Sequence, residues 1–84
     1  MVFEEAETII EIKPGFKTHI SKTVLESIGT NEGEFIKVIF KDKNVETVIK
    51  IKPGFKTHIP KSIIESINAK ENDFIKIILK KISN

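Results

Sequence analysis

The sequence predicts a mostly β fold, six strands and two short helices closed into one small barrel with pseudo-two-fold symmetry. Three observations predict it. Shifting the chain by 39 residues superimposes Ile12-Lys-Pro-Gly-Phe-Lys-Thr-His-Ile20 on Ile51-Lys-Pro-Gly-Phe-Lys-Thr-His-Ile59, nine identities in a row, and 18 of the 29 positions from 12–40 match those from 51–79. Within each copy, apolar residues recur with the period of two that marks half-buried strands. Finally, a unit of about 40 residues is too small to bury its own apolar faces, so the two copies must share a core.

The repeats run from about 6–41 and 45–80, and residues 1–84 are read as a single domain. Two copies are too few for a solenoid, which generally needs three or more. A closed two-copy barrel is the better expectation.

Each unit opens on a strand. Thr8, Ile10 and Ile12 alternate with Glu7, Ile9 and Glu11, and Thr47, Ile49 and Ile51 with Glu46, Val48 and Lys50. Lys13-Pro14-Gly15-Phe16 and Lys52-Pro53-Gly54-Phe55 put proline at i+1 and glycine at i+2, the chemistry of a type II turn. A second strand is expected at Phe16 to Ile20 and Phe55 to Ile59. Its alternation places Phe, Thr and Ile on one face, and Lys17 and His19, or Lys56 and His58, on the other.

A short helix follows, with Val24 and Ile28, or Ile63 and Ile67, at i and i+4. Ser21 opens the first copy as an N-cap, and Pro60 stands at the same place in the second. Gly29 aligns with Asn68 and Gly33 with Asn72. These two residue types best tolerate positive φ, so both places are expected to be left-handed in both copies. A third strand, Phe35 to Phe40 and Phe74 to Leu79, completes the unit. The polar stretch Lys41-Asp-Lys-Asn44 joins the copies, with Met1 to Glu5 as a short lead and Ile82-Ser83-Asn84 as a tail.

Hydrophobic residues make up 39% and charged residues 31% of the chain, the mixture of a folded rather than a disordered protein. The absence of cysteine excludes disulfides, thiolate metal sites and cysteine nucleophiles. The Met1-Val2-Phe3-Glu4-Glu5 start lacks the basic and apolar regions of a signal peptide, and no stretch approaches the roughly 18 apolar residues of a membrane span. A cytoplasmic location and no membrane partner are expected. The net charge of +2 sets 14 basic against 12 acidic residues, and every basic residue is lysine. Such a balance permits nucleic-acid binding only where lysines share a face.

From Lys52 to Ile77 the sequence resembles the AbrB/SpoVT/MazE family. The resemblance lies in a glycine, a basic residue, an alternating strand, Ile-Pro, a short helix, and a turn ending in an acidic residue before an apolar strand. Gly54, Lys56, Ile59-Pro60, Ile63, Ile67 and Asp73 fall on that pattern, as do Gly15, Lys17, Ile20, Val24, Ile28, Gly29, Gly33 and Glu34 in the first copy. The resemblance implies a cradle-loop barrel and a DNA-binding transcription regulator, with both half-barrels supplied by one chain. Ser21 departs from the Ile-Pro pattern, and Leu25-Glu26 and Ile64-Glu65 stand where many members carry basic residues. The unit also lacks a separate fourth strand, which brings it closer to the double-psi and RIFT barrels than to the swapped-hairpin type.

The candidate site is the basic strand face. Lys17, His19, Lys56 and His58 project from it, and Lys13, Lys22, Lys52 and Lys61 flank it at the turns and helix starts. Lysines facing phosphates would hold double-stranded DNA through counterion release, and paired copies suit a pseudo-palindromic site. Without arginine, bidentate reading of guanine is limited, so specificity would be modest or rest on DNA shape. A solvated exterior is the plain alternative.

Histidine also serves as a metal ligand or proton carrier, but no carboxylate or thiolate lies at ligand spacing within these strands. Glu32, Glu34, Glu71 and Asp73 cluster in the helix-to-strand turns, where local hydrogen bonding explains them more simply than a cation site. There is no Gly-rich phosphate loop, Ser-His-Asp set or metal motif, so neither a cofactor nor enzymatic activity is expected.

The six phenylalanines are expected in the core, among them Phe16, Phe35, Phe55 and Phe74 at repeat-related strand positions. Ile9, Val48, Leu25, Ile64 and Ile78 fall outside the inward pattern and would form a patch for homo-oligomerisation or a partner protein. That patch supports the alternatives to a regulator: a non-catalytic protein-interaction module, or an engineered or ancestral-type duplicated barrel without DNA binding.

Overall fold

The computed structural model describes residues 4–82. Met1, Val2 and Phe3 of the lead and Ser83-Asn84 of the tail lie outside the described residues, and with them one expected core phenylalanine. The elements are β1 (Glu5–Glu11), β2 (Lys17–His19), α1 (Lys22–Ser27), β3 (Phe35–Phe40), β4 (Val45–Lys50), β5 (Lys56–His58), α2 (Lys61–Ser66) and β6 (Phe74–Lys81), with a 3-10 helix at Lys41–Lys43. The fold is mostly β, with six strands and two short helices among the described residues.

The strands form two sheets. One has the antiparallel order β1-β6-β3-β4, and the other pairs β2 with β5. The backbone ladders do not join the six strands into one closed cylinder; β1 and β4 end the larger sheet. The short β2 and β5 strands are used up in pairing with each other.

Contacts recur under the 39-residue shift. The Ile12 N–H donates to the Asp73 carbonyl and the Ile51 N–H to the Glu34 carbonyl, both at 2.9 Å. The Ile20 N–H donates to the Phe55 carbonyl and the Ile59 N–H to the Phe16 carbonyl, again at 2.9 Å. Each copy therefore completes its backbone hydrogen bonding on the other, as buried amides require.

One core lies between the sheets. Ile10, Ile36, Val38, Phe40, Ile49, Ile77 and Leu79 come from the larger sheet, Ile12 and Ile51 follow β1 and β4, and Ile20 and Ile59 follow β2 and β5. Leu25, Ile28, Ile64 and Ile67 add the helices. The radius of gyration, 11.9 Å, equals the roughly 12 Å expected of a compact chain this long.

The turn between the first two strands is one residue longer than expected. Gly15 and Gly54 both have φ of 84°, as a type II turn demands, but Phe16 and Phe55 are left-handed too, at 59° and 58°. Lys13 N–H then reaches the Lys17 carbonyl at 2.8 Å, so the phenylalanine belongs to the turn, and the strand runs from Lys17 to His19. The positive φ aims the Phe16 and Phe55 carbonyls at the opposite copy.

Both helices stop in a Schellman motif. Thr30 N–H bonds to the Leu25 carbonyl and Gly29 N–H to that of Glu26, both at 3.0 Å. Ala69 and Asn68 repeat this on Ile64 and Glu65 at 3.0 and 3.1 Å. Gly29, Asn68, Gly33 and Asn72 all have positive φ, so the conformation persists where the residue changes. At the helix start Ser21 Oγ accepts from Val24 N–H at 3.4 Å, whereas Pro60 makes no such bond.

Two pairs of core assignments change. Phe35 and Phe74 are 57% and 72% exposed. They begin β3 and β6 on the same parity as the exposed Lys50 and Lys76 positions they neighbour, while Ile36, Val38, Phe40, Ile77 and Leu79 turn inward. Leu25 and Ile64 are buried rather than part of a surface patch, because each six-residue helix turns its Leu25–Ile28 or Ile64–Ile67 edge to the sheets. Val24 and Ile63 stay half-buried.

Candidate nucleic-acid interface

β2 and β5 are three residues each, and their register decides the site. Lys17 stands opposite His58, Thr18 opposite Thr57, and His19 opposite Lys56. Alternation sends both threonines into the interior, where each is 2% exposed, and sends the two lysines and two histidines to solvent. Directly opposed side chains in an antiparallel pair have Cβ atoms about 5 Å apart. The ladder thus gathers four polar side chains from two distant stretches of chain onto one outward face.

The Lys-Pro-Gly-Phe turns bring Lys13 and Lys52 beside this face. Lys13 Nζ lies 3.3 Å from Nδ1 of His19. An ammonium has only donors, so Lys13 donates and Nδ1 accepts in this contact. Two open clefts flank the ladder. One, of about 240 Å³, is lined by Lys13, Pro14, Lys17, Thr18, His19 and Lys56. The other, of about 230 Å³, is lined by Lys17, Lys52, Pro53, Lys56, Thr57 and His58. Lys17 and Lys56 belong to both, and no acidic side chain lines either.

Six of the eight residues expected from the sequence are therefore together, and two are not. Lys22 and Lys61 begin α1 and α2, outside both clefts. The Lys22 ammonium sits 5.9 Å from the centroid of the Phe55 ring, at the outer reach of a cation–π contact.

The turn carboxylates all accept backbone N–H bonds. Glu34 Oε1 takes the Asn31 N–H at 2.7 Å, and Asp73 Oδ2 takes that of Lys70 at 2.9 Å. Glu71 Oε2 takes the Gly15 N–H at 2.7 Å, and Glu32 Oε2 takes the Gly54 N–H. The sequence places Glu32 and Glu71 in turns but does not reveal these long-range partners; the signal was their 39-residue equivalence to each other, matching that of Gly15 and Gly54. They hold the turns that carry Lys13 and Lys52.

Among the described residues, no three His, Cys, Asp or Glu side chains gather as a metal site. No helix among them is long and apolar enough to cross a membrane. The face offers lysine ammonium groups with no carboxylate partner among the described residues, over a buried threonine pair, an arrangement suited to holding phosphate oxygens.

No protein-family model matches the chain, and no curated protein matches it. Among solved structures it is similar to the solution structure of PHS018 from Pyrococcus horikoshii. The TM-score is 0.74 at 19% identity, over 94% of this chain and 96% of that one. At that identity the likeness is one of fold.

Proposed function

We propose that the protein is a small, non-catalytic DNA-binding regulator of the AbrB-like kind, which lays the β2–β5 face against the phosphates of a DNA duplex. The observation that carries this reading is the ladder pairing Lys17 with His58 and His19 with Lys56, which puts two clefts free of acid on one exposed face. Backbone and side-chain contacts that exchange under the 39-residue shift support a pseudo-two-fold axis between β2 and β5. On that reading the two copies related by the 39-residue shift are the halves of a cradle-loop barrel contained in one chain. A two-fold protein face suits a pseudo-palindromic site.

Lysine ammonium groups act as point charges, so affinity should come mainly from counterion release and depend little on sequence. A titration of duplex binding against salt tests this. Four lysines, Lys13, Lys17, Lys52 and Lys56, each neutralising one phosphate, give a log–log slope of about −3.6, at about −0.9 per contact. A slope near zero, or no binding at low salt, rejects the proposal.

A further inference from the structure

We propose that two copies of this chain dimerise through the outer face of the four-stranded sheet, stacked with their strands crossed near a right angle. This face is separate from the β2–β5 face and the inference does not rest on DNA binding. Its centre is the pair Ile39 and Ile78, directly opposed across β3 and β6 and themselves 39 residues apart. An apolar stripe runs diagonally through them. Ile9 is 62% exposed on β1, and Val48 is 51% exposed on β4. Each lies one diagonal step from the central pair, since Ile9 opposes Lys76 and Val48 opposes Lys37. Phe74 and Phe35 extend the stripe at its two ends. Four exposed side chains, Ile9, Val48, Phe35 and Phe74, around the half-buried Ile39 and Ile78 make a continuous apolar band, more than a monomer scatters singly over its surface.

The charges around the stripe select the occupant. Glu7 stands beside Ile78 and Glu46 beside Ile39 in the cross-strand direction. Lys37 and Lys80 oppose each other two residues further along the strands. On the opposite side Lys41 and Lys76 both reach Glu7, at 3.9 and 3.8 Å. With strands about 4.8 Å apart and about 3.4 Å per residue, each glutamate lies about 7 Å from the centre across the strands, and Lys37, Lys80 and Lys76 lie about 7 Å from it along them, with Lys41 just past the end of β3 on the Lys76 side. A second copy laid face down with its strands parallel to the first puts glutamate over glutamate and lysine over lysine. Turned by about 90°, one of the two usual angles for stacked sheets, it puts every glutamate over a lysine pair. The same turn crosses the Ile39–Ile78 pairs and lands Ile9 and Val48 on the equivalent corners of the partner. The face is complementary to itself in that orientation, which is the requirement of an isologous interface.

Sedimentation equilibrium on the full chain, from micromolar to millimolar concentration, tests the proposal. The expected species is twice the 9.5 kDa monomer mass. The double variant I9K/V48K should weaken association about 100-fold while its circular dichroism stays that of the parent, because placing charges on the exposed apolar anchors either side of the centre removes most of an interface's affinity. The variant E7K/E46K should be monomeric alone and form heterodimers when mixed with K37E/K41E/K76E/K80E. A monomer at every concentration, a larger assembly, or a dimer unmoved by I9K/V48K overturns the proposal and leaves the stripe to another protein.

Discussion

The backbone N–H of Gly15 donates to Oε2 of Glu71 at 2.7 Å, across a sequence separation of 56 residues, and Gly54 and Glu32 repeat the bond between the copies. Each glutamate thus fastens the turn that opens one copy to the helix-to-strand turn of the other. Hydrogen bonds to charged groups contribute about 1.5–3 kcal/mol, and solvent exposure of this pair brings the value somewhat below that range. Glu71→Ala should therefore cost about 1 kcal/mol, and Glu71→Gln less, since the amide oxygen still accepts. Urea denaturation checks this: the midpoint should fall with the slope unchanged. Equal midpoints for the parent and the alanine variant would show that the turn is held by other contacts.

The two left-handed turn positions make a sharper test. Gly33 has φ of 87°, nothing lies within 4 Å of where its Cβ would stand, and the corresponding Asn72 has φ of 75°. The cost of a side chain at Gly33 is thus conformational rather than steric. Gly33→Asn should be nearly neutral, and Gly33→Val should lose about 1–2 kcal/mol, the usual penalty for an ordinary residue in this region. Thermal unfolding of the two variants side by side decides it, and equal melting temperatures would contradict the assignment.

How much of this was legible in the sequence depends on whether the signal was local. Gly29 and Asn68, like Gly33 and Asn72, announce left-handed backbone because the constraint belongs to one residue, and the structure has it at all four. Strand parity was legible for Thr18 and Thr57, whose lysine and histidine neighbours mark the outer face. It failed for Phe35 and Phe74, where hydrophobicity and repetition argued for burial against the alternation of Ile36, Val38 and Phe40. For Leu25 and Ile64 a six-residue helix is too short for its period to choose between adjacent apolar positions, and packing on the sheets chose. At the site, the pairing of Lys17 with His58 came from the β2–β5 register, which no local pattern encodes.

Burial separates residues that hydropathy makes equal. Leu25 is wholly buried and Phe74 is 72% exposed. Leu25→Ala should cost about 2–5 kcal/mol through lost transfer energy and the cavity left behind. Phe74→Ala should stay within about 0.5 kcal/mol in dilute monomer, as for other surface substitutions. Chemical denaturation at low protein concentration measures both, and a large loss for Phe74→Ala would place that ring in the core after all.

The eight lysines and histidines of the basic region divide in the same way. Lys17 and Lys56 line both clefts, while Lys22 and Lys61 line neither. On the proposed DNA-binding reading, K17A/K56A should lower the salt slope by about 1.8, at about 0.9 per lost phosphate contact, and K22A/K61A should leave it nearly unchanged. Fluorescence anisotropy with a labelled duplex reads both variants. If the two pairs reduce the slope equally, binding is diffuse over the basic surface and the clefts have no special part in it.

Thr30 offers a way to stabilise the fold without touching either face. It is 2% exposed, and its Oγ1 has no hydrogen-bond partner among the described residues. The same position in the second copy is Ala69, which carries no hydroxyl. Its backbone N–H already serves the Schellman motif, so the hydroxyl contributes a desolvation cost with no compensating bond. Thr30→Val keeps the branched shape and removes the polar group, and should stabilise the protein by about 1 kcal/mol. For a domain of this size that raises the melting temperature by about 4–8 °C in calorimetry. A lower melting temperature would mean that the hydroxyl is hydrogen-bonded in solution and that its burial is compensated.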